Sequence, residues 1–337
     1  KYTGTAGNKL YVVIAANADS ASMFDVSLYY DTTLLDAQTV AAATALKDND
    51  FVTWKTNATL EVTTKTALSG GTNGTANAAA HQAALDKFES YSFNTLGCPT
   101  DDTTTAKLYM NYTKRMRDEV GAKFQTVIFN LSTNAKIADY EGVIEVASKA
   151  TDYPSNVAGI GQYALVYWVT GASAGCAVNK SNTNKKYDGE LSIDVDKTQA
   201  DLAADIEAGR FVMHNVNGDV RVLEDINSLT TTSETKGDIF KNNQTIRVCD
   251  QIANDAAVLF NTRYLGVVAN DAAGRISLWN DICKLHQALE NIRAIENFEP
   301  DSVTVEQGET KRSVLCTIKD LNIINAMEQL YMSIVIM

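Results

Sequence analysis

The hydrophobic period of this sequence changes at Ser69-Gly70-Gly71-Thr72-Asn73-Gly74, so one uniform architecture cannot serve both sides of that cluster. Before it, runs of strand character at residues 10–14, 24–30, 51–54 and 60–64 alternate with clusters of Thr, Asn, Gly and Asp. One helix-like stretch, residues 40–46, interrupts them. A small, mostly β domain over residues 1–75 is the expectation. After it, helix and strand patterns alternate: helix 80–90, strand 92–96, helix 104–120, strands 124–129 and 142–146, a small-residue helix 162–178 and a helix 198–208. Strands 211–216 and 220–223 follow, joined at Asn217-Gly218-Asp219, a strong hairpin signal. Residues 76–236 therefore read as an α/β domain.

In residues 237–337 two long amphipathic helices come first. Ile246, Cys249, Ile252, Ala256, Leu259 and Phe260 form one stripe, and Leu278, Ile282, Leu285, Leu289, Ile292 and Ile295 form the other. Both should lie over a sheet built from strands near 303–306 and 313–318. The length of 337 residues agrees with more than one core, since domains typically hold roughly 100 to 150 residues. No internal repeat of fixed period is present.

A net charge of −12 argues against a nucleic-acid partner, because phosphate binding requires clustered Lys and Arg. The longest apolar run, Ala164 to Val169, is far short of the roughly 20 residues that span a bilayer, so no membrane insertion is expected. Cys98, Cys176, Cys249, Cys283 and Cys316 are scattered and odd in number, which points to reduced, mostly buried thiols.

Gly171-Ala172-Ser173-Ala174-Gly175 matches the G-x-S-x-G nucleophile elbow, and Asp194 or Asp196 and then His214 follow in hydrolase order. An elbow needs a strand running straight into the serine. Small residues at 171, 172, 174, 175 and 177 equally suit a helix packed tightly on a sheet, and packing is the expectation. Gly159-Ile160-Gly161 with Ala164 resembles a dinucleotide fingerprint, but the preceding strand ends too early for the tight turn. Asp194, Asp196 and Asp201 lack the glycine and glutamate of a calcium loop, whereas Thr198 with Asp201 fits a capping box. His81, His214 and His286 share no metal-ligand spacing. No catalytic residue, cofactor or metal is assigned, and no enzymatic role is expected.

The end of the chain is different. Glu328, Leu330, Met332, Ile334 and Ile336 alternate with Met327, Gln329, Tyr331, Ser333 and Val335, so a strand here is apolar on both faces and must be covered. Intermolecular pairing is the expected cover, with Leu330, Tyr331, Met332, Ile334, Val335 and Ile336 as the contact residues.

Several segments resemble the tail sheath proteins of contractile-tailed bacteriophages and phage-like particles, especially those of Gram-positive hosts and their prophages. They are Asn94-Thr95-Leu96-Gly97-Cys98-Pro99, residues 117–127 from Arg117 to Val127, residues 168–190 around Gly175-Cys176-Ala177-Val178-Asn179, Val222-Leu223-Glu224-Asp225-Ile226-Asn227, residues 270–281, and Met327-Glu328-Gln329-Leu330-Tyr331. The resemblance implies a β-sandwich domain at 1–75, a central domain of subtilisin-like fold at 76–236 and a conserved C-terminal domain at 237–337 ending in an exchange strand. It further implies a homo-oligomer of stacked, hexameric rings around a tail tube protein, bounded by baseplate and tail terminator proteins. Such particles assemble in the bacterial host cytoplasm. The chain opens at Lys1 rather than Met, and the family's N-terminal arm has no counterpart here, so a preceding region is expected. The alternatives are a secreted or surface β-rich adhesion module, suggested by the Thr and Asn richness of residues 1–75, and a serine hydrolase using Ser173.

Overall fold

The computed structural model describes Lys1 and residues 4–131, 134–154 and 159–335. The chain is mixed α/β and multidomain, and it divides into two units, Lys1–Ala80 and His81–Met337.

In the first unit, β1 (Leu10–Ala16), β2 (Phe24–Tyr30), β3 (Thr33–Val40) and β4 (Thr63–Ala67) form an antiparallel sheet in the order β3-β2-β1-β4. Leu10, Val26, Leu28 and Val40 point to its inner face, where Ala43, Leu46, Val52 and Trp54 pack on them. Residues 51–54 form no strand, contrary to their pattern. Asn49 Oδ1 accepts from the amides of Phe51 and Val52, and Asp48 Oδ1 accepts from that of Trp54, so side chains satisfy this backbone in place of a ladder. The helix-like stretch 40–46 contributes only a single 3-10 turn, Ala43–Ala45. Strand β3 escaped the sequence pattern because its register shifts between Leu28 and Tyr29 of β2, and such a bulge breaks the two-residue alternation.

In the second unit, α1 (Ala78–Phe88), β5 (Thr95–Cys98), α2 (Thr103–Arg115), β6 (Gln125–Phe129), β7 (Val143–Val146), α3 (Leu165–Ala174), α4 (Gln199–Glu207) and β8 (Arg210–Phe211) build a layered α/β body. Its sheet is parallel throughout, in the order β5-β6-β7-β8. Alternate residues serve opposite faces. Val127, Phe129, Ile144 and Val146 pack against Leu165, Val166 and Val169 of α3, whereas Ile128 and Val143 pack against Ala106, Tyr109 and Tyr112 of α2. A Cβ on Gly97 would stand 2.6 Å from Thr170 Oγ1, so glycine is what lets α3 approach β5 so closely.

The capping box read at Thr198 and Asp201 starts α4. The segment read as one strand, 211–216, divides at Val212: β8 completes the parallel sheet, and β9 (Met213–Val216) turns back as a hairpin with β10 (Asp219–Val222). Asn217 and Gly218 take φ of 52° and 91°, the mirror-image turn that matches strand twist.

The rest of this unit carries α5 (Asn243–Leu259), α6 (Ala272–Asn291), β11 (Ile295–Glu296), β12 (Val303–Gln307), β13 (Val314–Ile318) and β14 (Asn322–Ile323). Leu278, Ile282 and Cys283 of α6 bury themselves against Val303, with Val305, Val314 and Ile318 beside them, so the second helix lies over the β12–β13 pair. Val248 of α5 joins Leu289, Ala294 and Ile295 in a separate cluster. His286 is a packing residue, stacked on Phe298 with its Nδ1 2.9 Å from the Ile282 carbonyl.

Asp139 fastens two loops of this unit, accepting from the amides of Thr230 at 2.6 Å and Thr231 at 3.2 Å and from the Thr231 hydroxyl. Partial burial opposes its charge, but these bonds and nearby Lys136 hold the carboxyl down at about 2, against 3.8 ordinarily. A depressed native pKa stabilises the fold above 3.8, and the contribution disappears as pH falls through about 2. Asp139→Asn is therefore expected to lower the urea midpoint near neutral pH. Urea titrations at successively lower pH should show the gap to the parent closing between about 4 and about 2.

Candidate functional site

The first turn of α5 is polar and fully buried. Asn243, Gln244 and Thr245 are each at most 1% exposed, and all three have partners beyond the helix. The centre of the arrangement is Asp225, also fully buried. Its Oδ2 accepts from the Asn182 amide at 2.8 Å and from Arg247 Nη2 at 2.7 Å, and its Oδ1 accepts from Asn243 Nδ2 at 2.9 Å. Its own amide donates to Thr183 Oγ1 at 3.0 Å, and its carbonyl accepts from the Asn243 amide at 2.9 Å. Gln125 Nε2 reaches Asn243 Oδ1 at 2.8 Å, which ties β6 to the same helix turn. One turn further along α5, Asp250 receives both arms of Arg117, at 2.6 and 2.8 Å.

Charges this deeply placed are tolerated because every carboxylate oxygen has at least one donor; removing one partner leaves the others unpaired in a medium of low dielectric. Asp225→Ala is expected to destabilise the second unit by about 3 to 5 kcal/mol, measured as the shift in its denaturant midpoint. A loss below about 1 kcal/mol would show that the network is dispensable.

The chain's last described residues start from this network. Gln244 donates from Nε2 to the Ile324 carbonyl at 2.9 Å and accepts the Ala326 amide at 3.0 Å, while Thr245 Oγ1 lies 3.3 Å from Asn325 Oδ1. Glu328 accepts from Thr183 Oγ1 at 2.7 Å and Ser181 Oγ at 3.2 Å. Beyond it, Leu330, Tyr331, Met332, Ile334 and Val335 are between 74% and 88% exposed. Residues 325–335 form no strand, and a strand with no neighbouring ladder has no backbone partners to define it. Of the expected contact residues, Ile336 lies outside the described residues. The other five stand together on an uncovered apolar segment whose root is fixed.

Ser173 lies in the last turn of α3, 5% exposed, and no strand runs into it. It faces a cavity of about 70 Å³ together with Cys176, Arg247 and Asp250, and His214, Asp194 and Asp196 are not part of that wall. Asp194 instead pairs with Lys149 at 3.4 Å, and His214 sits on β9, where burial and the Arg221 charge lower its pKa. The elbow geometry is thus not formed. The expectation of mostly buried thiols needs correction: Cys98 and Cys283 are buried, Cys176 and Cys249 are half-buried and Cys316 is exposed. Among the described residues no group of three or more His, Cys, Asp and Glu could hold a metal ion, and no helix is long and apolar enough to cross a membrane.

Comparison with known proteins assigns three consecutive stretches. Residues 1–73 match the phage tail sheath protein beta-sandwich domain, residues 74–228 the phage tail sheath protein central domain, and residues 235–337 the phage tail sheath C-terminal domain. The chain belongs to the phage tail sheath family. The solved sheath tail protein of Desulfitobacterium hafniense is 33% identical and superimposes with a TM-score of 0.79, over 91% of this chain and 72% of that one. The phage-like element PBSX protein XkdK of Bacillus subtilis (strain 168) is 30% identical over 280 residues, 75% of this chain. This sheath chain spans 58% of the length of the Bacillus relatives it matches. The contracted helical sheath of the anti-feeding prophage shares the fold at a TM-score of 0.61 and 12% identity, over 81% of this chain and 78% of that one.

Proposed function

We propose that this chain is the body of a structural subunit that polymerises as stacked hexameric rings around a tail tube and shortens to drive the tube through a target envelope. The observation that carries this reading is the exposed apolar segment from Leu330 to Val335 on a fixed root. An extended segment of that composition binds by adding a strand to a neighbour's open sheet edge, with main-chain bonds for affinity and alternate side chains for fit. The short β12–β13 pair offers such edges on every copy. Subunits joined this way stay connected while their bodies rotate past one another. The tube protein lies inside the rings, and baseplate and terminator proteins close their two ends. Assembly takes place in the bacterial host cytoplasm.

Contraction requires no nucleotide if assembly holds the extended lattice above a lower contracted one, because new body-to-body contacts then supply the free energy. The subunit acts mechanically, and Ser173 contributes packing rather than nucleophilic chemistry.

Negative-stain microscopy of the full-length protein beside a version ending at Asn325 tests the assembly. Tubes or rings from the first and none from the second are expected. Monomers from both across a range of salt would overturn the reading in favour of an adhesion module. Separately, a fluorophosphonate serine probe is expected to leave Ser173 unlabelled; stoichiometric labelling lost in Ser173→Ala would restore the hydrolase alternative.

A further inference from the structure

The segment's root is held by two fastenings of different character. Gln244 grips Ile324 and Ala326 from a fully buried position. Glu328 is exposed, and its carboxylate accepts from the Thr183 hydroxyl, with the one proton of Ser181 shared between Glu328 at 3.2 Å and Thr183 Oγ1 at 3.0 Å. The Thr183 hydroxyl already accepts the Asp225 amide, so its single proton is directed outward to Glu328. A second carboxylate, Glu224, adjoins the same place, since it directly precedes Asp225, whose amide bonds the hydroxyl of Thr183 that faces Glu328. Burial raises the pKa of Glu224, and the charge of Glu328 raises it further, which is what like charges in proximity do.

We propose that Glu328 is a releasable clasp for the C-terminal segment, closed by Thr183 and Ser181 and kept weak by the opposing carboxylate of Glu224. With the clasp closed the segment pivots at Glu328. With it open the pivot retreats to Ala326, which Gln244 still holds, and the free lead lengthens by two residues, about 7 Å. Water can replace the hydroxyls at exposed Glu328 at little cost, whereas it cannot reach Asp225, so the two carboxylates have opposite duties. One anchors permanently and the other lets go. The use of such a clasp, giving reach while a strand is handed to a neighbour, rests on the strand-exchange reading above; its existence does not.

Hydrogen exchange followed by mass spectrometry on the unassembled full-length protein tests it. In the parent, the amides of Ile324 and Ala326 should exchange more slowly than those of 330–335. Glu328→Ala should speed exchange at Ala326 about threefold to tenfold, the range expected for losing a partly solvated charged hydrogen bond. Glu328→Gln keeps an acceptor oxygen and removes the repulsion, and Glu224→Gln removes the repulsion from the other side; both should exchange no faster than the parent. Unchanged exchange in Glu328→Ala, or faster exchange in Glu224→Gln, would overturn the clasp. Because no assembly is involved, a clasp that behaves as expected in a protein that forms no tubes would reject strand exchange alone.

Discussion

The carboxylate of Asp225 is the point on which the second unit depends. It sits on the segment after β10 without solvent contact, and its three donors come from Asn182 of the 180–183 loop and from Asn243 and Arg247 of α5. Such a group has a steep alternative: solvated in the unfolded chain, or fully satisfied in one geometry. Apolar contacts tolerate sliding by an ångström or so, but a buried carboxylate with several donors does not. The same reasoning applies to the two-armed pair of Arg117 and Asp250, which fixes α5 to the helical turn Met116–Val120 that follows α2. Hydrophobic clusters supply the bulk of the stability here, and these polar seams set how α5 is held against Gln125 of β6, the 180–183 loop and the segment after β10.

That seating was the part hardest to see in the sequence. The strand and helix alternation of residues 76–236 was legible because both periods were clean: Val127 and Phe129 face one way, Ile128 the other. Thr198 with Asp201, and Asn217 with Gly218, were legible because cap and turn chemistry is local. The sheath family was readable from segments such as Val222 to Asn227. The apolar stripe drawn for α5 began correctly at Ile246 but gave no weight to Asn243, Gln244 and Thr245, whose burial follows from partners distant in sequence. The one signal available was an amphipathic helix opening with three polar residues after the Asn242 cap, which has no reason to be buried until Asp225 and Gln125 are opposite it. In the first unit, Asp48 and Asn49 took over the backbone of residues 51–54, a competition that a pattern of side chains along a strand cannot register.

The terminal segment obeys a different rule. Its alternation was visible, yet strand structure is a property of a pair, and no second member stands beside residues 329–335 among the described residues. An exposed apolar stretch of that kind is ordinarily an aggregation hazard. A net charge of −12 opposes indiscriminate association between copies, because the bodies repel at distances where the segments cannot yet pair. Pairing is then favoured only where geometry brings a segment and an open edge together, so that many main-chain bonds form at once.

Rigid body and loose end are coupled through one hydroxyl. Thr183 receives the Asp225 amide on one side and faces Glu328 on the other, so the most deeply fixed group of the unit directs the first residue that is free to leave. In the contractile role proposed above, a subunit needs its bodies stiff, since strain absorbed inside a body is lost to the lattice, and its links compliant, since bodies that rotate while rigidly linked must break. Placing the change from stiff to compliant within one residue, between a buried network and an exposed carboxylate, meets both needs without a flexible linker that would let neighbours drift out of register.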